Sequence, residues 1–396
     1  MKFSVLLPTR NRLDLLRLAV ETVRRQDYDD WEIVVSDNAS DDDIRGFVDS
    51  LADERIRYVR SDSLIPVTDN WNRALAHCTG DYIIMLGDDD GLLPGYFSSA
   101  RRLIEAHDAP EVLYTSALLY AYPGVLTGSP DGFLVSYEKR SIFKDSKQAF
   151  LLSKTEAREY VNGSLDFRVN FDYNMQFFLV SRKAVDRLQD FGSFYQSPYP
   201  DYYAANVLLY LADSILIVPT PMITIGISPK SFGYYYFNDK ESAGTAFLNN
   251  MHSDPLLAHL DQVVLPGTDM NTCWLMAMET LAIRLGLKAN HARYRELQIR
   301  AVFANALRND RHKASRIAAL HKETTWQERL QFVWPWVFAS IFFSDRKRKR
   351  KADEIITQGK SHPHACEMPT TPGKFKNMME VYDFLPADSA RLGSVS

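Results

Sequence analysis

The stretch Gly80-Asp81-Tyr82-Ile83-Ile84-Met85-Leu86-Gly87-Asp88-Asp89-Asp90-Gly91 decides the fold. Its apolar run is of the kind buried in a parallel sheet, and it stops abruptly in three consecutive carboxylates. Ligands of open α/β sheets sit beyond the carboxyl ends of the strands, so the aspartates stand where a ligand would. Their mutual repulsion is relieved by a hard divalent cation, Mg²⁺ or Mn²⁺, which prefers carboxylate oxygen and keeps positions open for water and phosphate. On the triplet alone, a solvated acidic turn ahead of a helix entered at Pro94 is an equal reading.

Working back from the triplet, strand and helix alternate. Phe3 to Leu7 reads as a strand, followed by the loop Pro8-Thr9-Arg10-Asn11 and a helix with Leu13, Leu16, Ala19, Val20 and Val23 on one face. Trp31 to Ser36 is a second buried strand, closed by the polar loop Asp37-Asn38-Ala39-Ser40-Asp41-Asp42, in which Ser40 or Asp41 is expected to cap the next helix. Ile56 to Val59 is a short third strand. Trp71, Ala74, Leu75 and Cys78 then mark a helix face beside Asn70, Asn72 and Arg73. This alternation predicts an α/β fold built from parallel βαβ units with right-handed crossovers. No internal repeat is present.

With 396 residues and a net charge of −4, the chain fits a globular protein of one large or two medium domains and lacks the strong basic balance of a nucleic-acid binder. Its three cysteines, Cys78, Cys273 and Cys366, are far apart without metal-ligand spacing, which predicts a reducing, cytoplasmic setting. The start, broken early by Arg10, Arg12 and Asp14, does not read as a signal peptide. No run reaches the roughly 20 apolar residues that span a bilayer.

Four pieces carry a family resemblance: Leu7-Pro8-Thr9-Arg10-Asn11-Arg12; Ile33-Val34-Val35-Ser36-Asp37-Asn38-Ala39-Ser40-Asp41; Asn70-Trp71-Asn72-Arg73-Ala74; and Gly80-Asp81-Tyr82 leading to Asp88-Asp89-Asp90. In this order and spacing, from Val5 to about Phe97, the chain resembles the inverting family 2 glycosyltransferases of the GT-A fold. The resemblance implies a Rossmann-like, mostly parallel sheet flanked by helices. It implies that Pro8, Thr9, Arg10 and Asp37 line a nucleotide pocket, that Asn70 and Arg73 approach the base, and that the triplet is the family's Asp-x-Asp motif. The chemistry agrees: a carboxylate such as Asp37 reads ring N–H groups. A metal on Asp90 and Asp89, with Asp88 or Asp89 reaching the ribose, neutralises a departing diphosphate as a Lewis acid. The donor it implies is a nucleotide diphosphate sugar, most often a uridine diphosphate sugar. Asp37 as a turn residue and Arg10 and Arg73 as paired surface arginines are the structural alternatives.

Beyond the triplet, Glu111 to Lys154 holds a strand through Tyr120 and then a turn-rich stretch, and Asn174 to Arg182 reads as a strand on the acceptor side. The run Tyr199-Pro200-Asp201-Tyr202-Tyr203 enters a helix. Asp201 is the expected catalytic base, a carboxylate that takes the proton of the attacking acceptor hydroxyl among tyrosines that exclude water. Relatives often have Glu-Asp where this chain has Pro200-Asp201, and an N-cap role for Asp201 is compatible with the catalytic one. The loop Gly226-Ile227-Ser228-Pro229-Lys230-Ser231 is expected to fold over the diphosphate with Lys230 and Ser231, or else Lys230 is an ordinary solvated lysine. No histidine stands ready as an extra metal ligand, which leaves diphosphate oxygens and water to complete a shell.

These readings predict a catalytic domain over residues 1–237, a helical extension over 238–358 without a catalytic constellation, and a loosely ordered tail over 359–396. Within the extension, 332–351 joins an apolar stretch with Trp334 and Trp336 to six consecutive basic residues, Arg346 to Lys351. A core helix and a segment on an anionic membrane surface are equal expectations. The expected partners are the sugar donor and a glycan or lipid-linked acceptor, the latter at the inner face of the membrane. A nucleotidyltransferase and a non-catalytic sugar-nucleotide or glycan binder are the competing classes. The first lacks its Gly-rich phosphate loop here, and the second does not need the intact aspartates.

Overall fold

The structure, a computed structural model, describes residues 1–125, 131–136, 141–231, 234, 255–266, 270–307, 313–334, 347 and 371–385. They fall into two compact units, one within Met1–Val161, Phe171–Met251 and Cys366–Ser396, the other within Asn162–Asn170 and His252–Ala365.

The first unit is built on one sheet. Strands β1 (Phe3–Thr9), β2 (Trp31–Asp37), β3 (Ile56–Arg60) and β4 (Tyr82–Met85) alternate with helices α1 (Leu13–Arg24), α2 (Ile44–Ser50) and α3 (Val67–His77). They pair in parallel in the order β3-β2-β1-β4. Every residue of β2 is buried, as a parallel strand covered on both faces requires. β1 and β2 are in register from Phe3–Trp31 to Thr9–Asp37, so their carboxyl ends finish side by side.

Past β4 the direction changes. After the two-residue β5 (Gly91–Leu92) and α4 (Tyr96–Ala106) come β6 (Val112–Ala121), β7 (Gly132–Ser136), β8 (Phe150–Leu152), α5 (Lys154–Leu165), β9 (Phe178–Ser181), α6 (Arg182–Leu188), α7 (Pro200–Leu211) and β10 (Ile215–Ile227). β9 runs antiparallel between β4 and β6, whereas the long β10 lies parallel to β6. The α/β expectation is met, with the parallel block on one side and a mixed block on the other. Two loops differ from expectation in detail. Asp43, not Ser40 or Asp41, caps α2, accepting from the Gly46 N–H at 2.8 Å. Ser40 and Asp42 instead accept from the Asn11 and Leu13 N–H groups, so the loop after β2 caps α1.

The tail departs from expectation. Where composition predicts loose order over 359–396, Thr371–Phe375 forms β11, antiparallel to β7 at the sheet edge, and a helix comes next over Met378–Phe384. The physical reason is apolar burial: Phe375, Met378 and Val381 join Leu15, Tyr120, Tyr122 and Leu134 in one cluster. The first unit therefore ends with residues from the end of the chain rather than near 237. Tyr235 to Phe237, Cys366 and most of 332–351 lie outside the described residues.

The second unit is helical, as the sequence predicts, with helices Met270–Leu285, His291–Leu307 and Lys313–Glu323 around Leu265, Ile299, Val302, Phe303 and Leu320. The buried Glu279 carboxylate bonds the Nε2 atoms of His259 and His291, each at 2.7 Å, which ties three segments together. Among the described residues no helix is long and apolar enough to cross a membrane.

Candidate active site

The acidic turn after β4 is buried, not solvated: Asp88, Asp89 and Asp90 are 3%, 8% and 2% exposed. Each carboxylate is held by a different piece of the fold. β1 and the loop after it supply the partners of Asp88, with Thr9 Oγ1 donating to Oδ2 and Arg12 Nη1 to Oδ1, both at 2.8 Å. Burial, with the charge of Asp89, still raises the Asp88 carboxyl above the usual carboxylate range despite the arginine.

The loop after β10 supplies the partners of Asp89: the Ser231 hydroxyl donates to Oδ2, and the Ser228 hydroxyl donates to the same oxygen at 3.1 Å. For Asp90, Oδ2 accepts from the Gly87 N–H at 2.9 Å and the Gln176 amide at 2.5 Å, and Oδ1 accepts from the Gly226 N–H at 2.8 Å. Burial and then the Asp89 charge push the Asp90 carboxyl up to about 8 against these donors. Gly226 is required by contact: a Cβ there would lie 1.8 Å from the Asp89 carbonyl oxygen. Only a residue without a side chain lets β10 run this close.

A second network stands at the end of β2. Asp37 is fully buried, with Oδ2 accepting from Tyr58 Oη at 2.7 Å and Arg60 Nη1 at 2.8 Å, and Oδ1 from the Ser40 N–H at 2.9 Å. The turn role is thus present beside any binding role. The Asn38 N–H donates to the Thr9 carbonyl at 3.0 Å, which joins this network's loop to β1. Asn70 departs from expectation. It is turned into the core at 3% exposure, and its amide exchanges two hydrogen bonds with Ser36, so it fastens α3 to β2 rather than facing a base. Arg73 donates to the Arg60 carbonyl. Pro8 and Arg10 are half-buried at the end of β1, and Arg10 forms no ion pair among the described residues.

Lys230 is reached from both sides: its carbonyl accepts from Arg12, and its Nζ pairs with Asp14 at 3.0 Å on the surface. Asp201 lies in the first turn of α7, whose N-cap is Tyr199, and its Oδ1 accepts from the Tyr202 N–H at 2.9 Å. Burial pushes its carboxyl up to about 7, partly offset by the N–H groups of Tyr202 and of Asp201 itself. The rings of Tyr199 and Tyr202 stack at 5.5 Å, and Tyr173 meets Tyr202 edge-on at 4.2 Å. The preceding loop is pinned to α3 through Thr68 with Ser197 and Asn72 with Tyr195.

Thr9, Asp88, Asp89, Asp90 and Lys230 are therefore brought into one network. Ser231, expected beside Lys230, joins it through Asp89, and Arg12, Gln176, Gly226 and Ser228 join it without having been singled out by sequence reasoning. For a divalent cation, no group of three or more His, Cys, Asp or Glu side chains among the described residues is placed to hold one alone. The donor set nevertheless fits a hard cation. Asp89 Oδ1 accepts from no described group, and Asp90 Oδ1 accepts only from Gly226, so two carboxylates offer oxygen lone pairs. Diphosphate oxygens and water would supply the rest, the usual arrangement for Mg²⁺.

A parallel β-block with buried carboxylates at its carboxyl edge is an α/β domain with polar groups where such sheets bind their ligands. Residues 4–151, a little over a third of the chain, match the Glycosyl transferase family 2 model. Among curated proteins the chain is 39% identical over 101 residues to the GalNAc(5)-diNAcBac-PP-undecaprenol beta-1,3-glucosyltransferase of Campylobacter jejuni, covering 25% of this chain and 33% of that one. It is 29% identical over 87 residues to the Escherichia coli UDP-Glc:alpha-D-GlcNAc-diphosphoundecaprenol beta-1,3-glucosyltransferase WfgD, covering 22% and 34%. The match thus spans about a third of the length of these relatives. The crystal structure of S. aureus TarS 1–349 aligns with a TM-score of 0.44 at 16% identity, over 91% of this chain and 92% of that one.

Proposed function

We propose that the chain is an inverting, metal-dependent glycosyltransferase that moves a sugar from a uridine diphosphate donor to a hydroxyl of a glycan or lipid-linked acceptor. The observation that carries this reading is the buried Asp88–Asp90 turn, fastened at once to the β1 edge through Thr9 and Arg12 and to β10 through Gly226. The names of the two relatives, both glucosyltransferases whose printed substrates are diphosphoundecaprenol-linked, support the acceptor class. Such an acceptor would be met at the cytoplasmic face of a membrane.

Pro8, Thr9, Arg10 and Asp37 line the nucleotide side, with Arg73 at its margin. Lys230 turns to the diphosphate by leaving Asp14, an exchange of one exposed ion pair that costs little. Asp89 and Asp90 hold a divalent cation, which when bound offsets the charge of the departing diphosphate. Asp201, with its carboxyl poised near neutrality, takes the proton of the acceptor hydroxyl as that oxygen bonds to the anomeric carbon and the diphosphate leaves. The tyrosines around it exclude water.

A panel of nucleotide sugars tested with the full chain, with and without chelator, decides the matter. A uridine diphosphate sugar should raise Tm and be slowly hydrolysed in Mn²⁺. Asp90→Ala should abolish the metal-dependent part of that stabilisation. Absence of stabilisation and turnover with every donor, or metal-dependent affinity unchanged in Asp90→Ala, would overturn the assignment.

A further inference from the structure

Outside the candidate site, the most unusual surface belongs to the second unit. Trp326, Leu330 and Trp334 are spaced by four along the turns that close its described part, and they are 66%, 57% and 49% exposed. The same segment has a second apolar side: Phe332 and Val333 pack against the cluster of Ile299, Val302, Phe303 and Leu320. Its core contacts are thus met by one side, while two indoles and a leucine face outward. The segment is held in place by a capping box between Thr325 and Glu328 and by the Arg295–Glu328 pair at 2.6 Å. The outward face is therefore displayed on a fixed element rather than on a fraying end.

We propose that the Trp326–Leu330–Trp334 face is a docking surface for an anionic lipid bilayer. Tryptophan side chains favour the headgroup level, where an apolar ring and an N–H donor are both accommodated. The partner's charge follows from the sequence, in which six consecutive basic residues, Arg346 to Lys351, begin twelve positions after Trp334 and would complement an anionic leaflet. A neutral protein groove would not need that charge. Lipid binding by this face is independent of glycosyl transfer and is read without turnover.

The experiment is sedimentation of the full chain with vesicles of phosphatidylglycerol and phosphatidylcholine and with phosphatidylcholine alone, over a salt series. The chain should sediment with the anionic vesicles, less as salt rises, with a blue shift of tryptophan emission. A Trp326→Ser, Trp334→Ser double variant, checked for unchanged far-UV circular dichroism, should bind these vesicles roughly tenfold or more weakly, each factor of ten being about 1.4 kcal/mol. It should hydrolyse donor as the parent chain does. Vesicle binding equal to the parent's, or no sedimentation of the parent with anionic vesicles, overturns the proposal. Self-association lost in the double variant, without lipid binding by the parent, would assign the face to a second copy instead.

Discussion

At Arg12 a side chain only 10% exposed places its guanidinium on the still more buried Asp88, 4% exposed. Buried ion pairs are poor evidence of net stability, but removing one partner leaves an uncompensated charge. Arg12→Ala should therefore cost about 3–5 kcal/mol in urea unfolding, and adding Asp88→Asn should recover part of that loss. Asp201 gives a pH prediction. Burial pushes its carboxyl up from 3.8 to about 7, and only the deprotonated form accepts the acceptor's proton. Turnover should rise with pH through that region, and Asp201→Asn should lower it about a hundredfold or more and flatten the limb. Linkage has the opposite sign. The stabilising contribution of the protonated carboxyl is whole below 3.8 and lost as pH rises through about 7, so Asp201→Asn should raise Tm at pH 8 but not at pH 3.5. The aspartates themselves were legible in the sequence because three carboxylates interrupt an apolar strand. The partners of Asp88 and Asp89 were not, since Arg12 and Ser228 lie 76 and 139 positions away and local pattern carries no information over such spans.

Among the elements, the parallel block was legible from period and from turn chemistry, and the β1 and β2 ends fall where the polar loops begin. Asn70 shows the limit of that reading: a polar residue beside a helix face looked like a binding group, yet it spends its amide on Ser36. The strand β11 shows another. Its Thr371-Pro372-Gly373-Lys374-Phe375 composition argues against a strand, but proline is tolerated at a sheet edge, and among the described residues β11 pairs with β7 alone. By pairing there it brings the Met378–Phe384 helix onto the sheet, where Met378 is 1% and Val381 0% exposed. Met378→Ala should cost about 2–5 kcal/mol in chemical denaturation, the range for emptying a packed core position, whereas a loosely ordered tail would give almost no change.

On the scale of the molecule, composition located the helical extension but not the division of the chain. The first unit is assembled from three stretches because apolar residues near the end of the chain complete a cluster begun by Leu15. No local signal marks such a return. It bears on how the protein is made. The edge of β7 that β11 covers stays open on the ribosome until residues beyond the second unit have emerged. At about 5–20 residues per second the interval between Ser136 and Thr371 is on the order of 10 seconds or more. During that time a nascent chain presents unpaired strand backbone to its neighbours on the same message. Early chaperone capture, more than the stability of the finished sheet, would then set the yield of this protein in a cell.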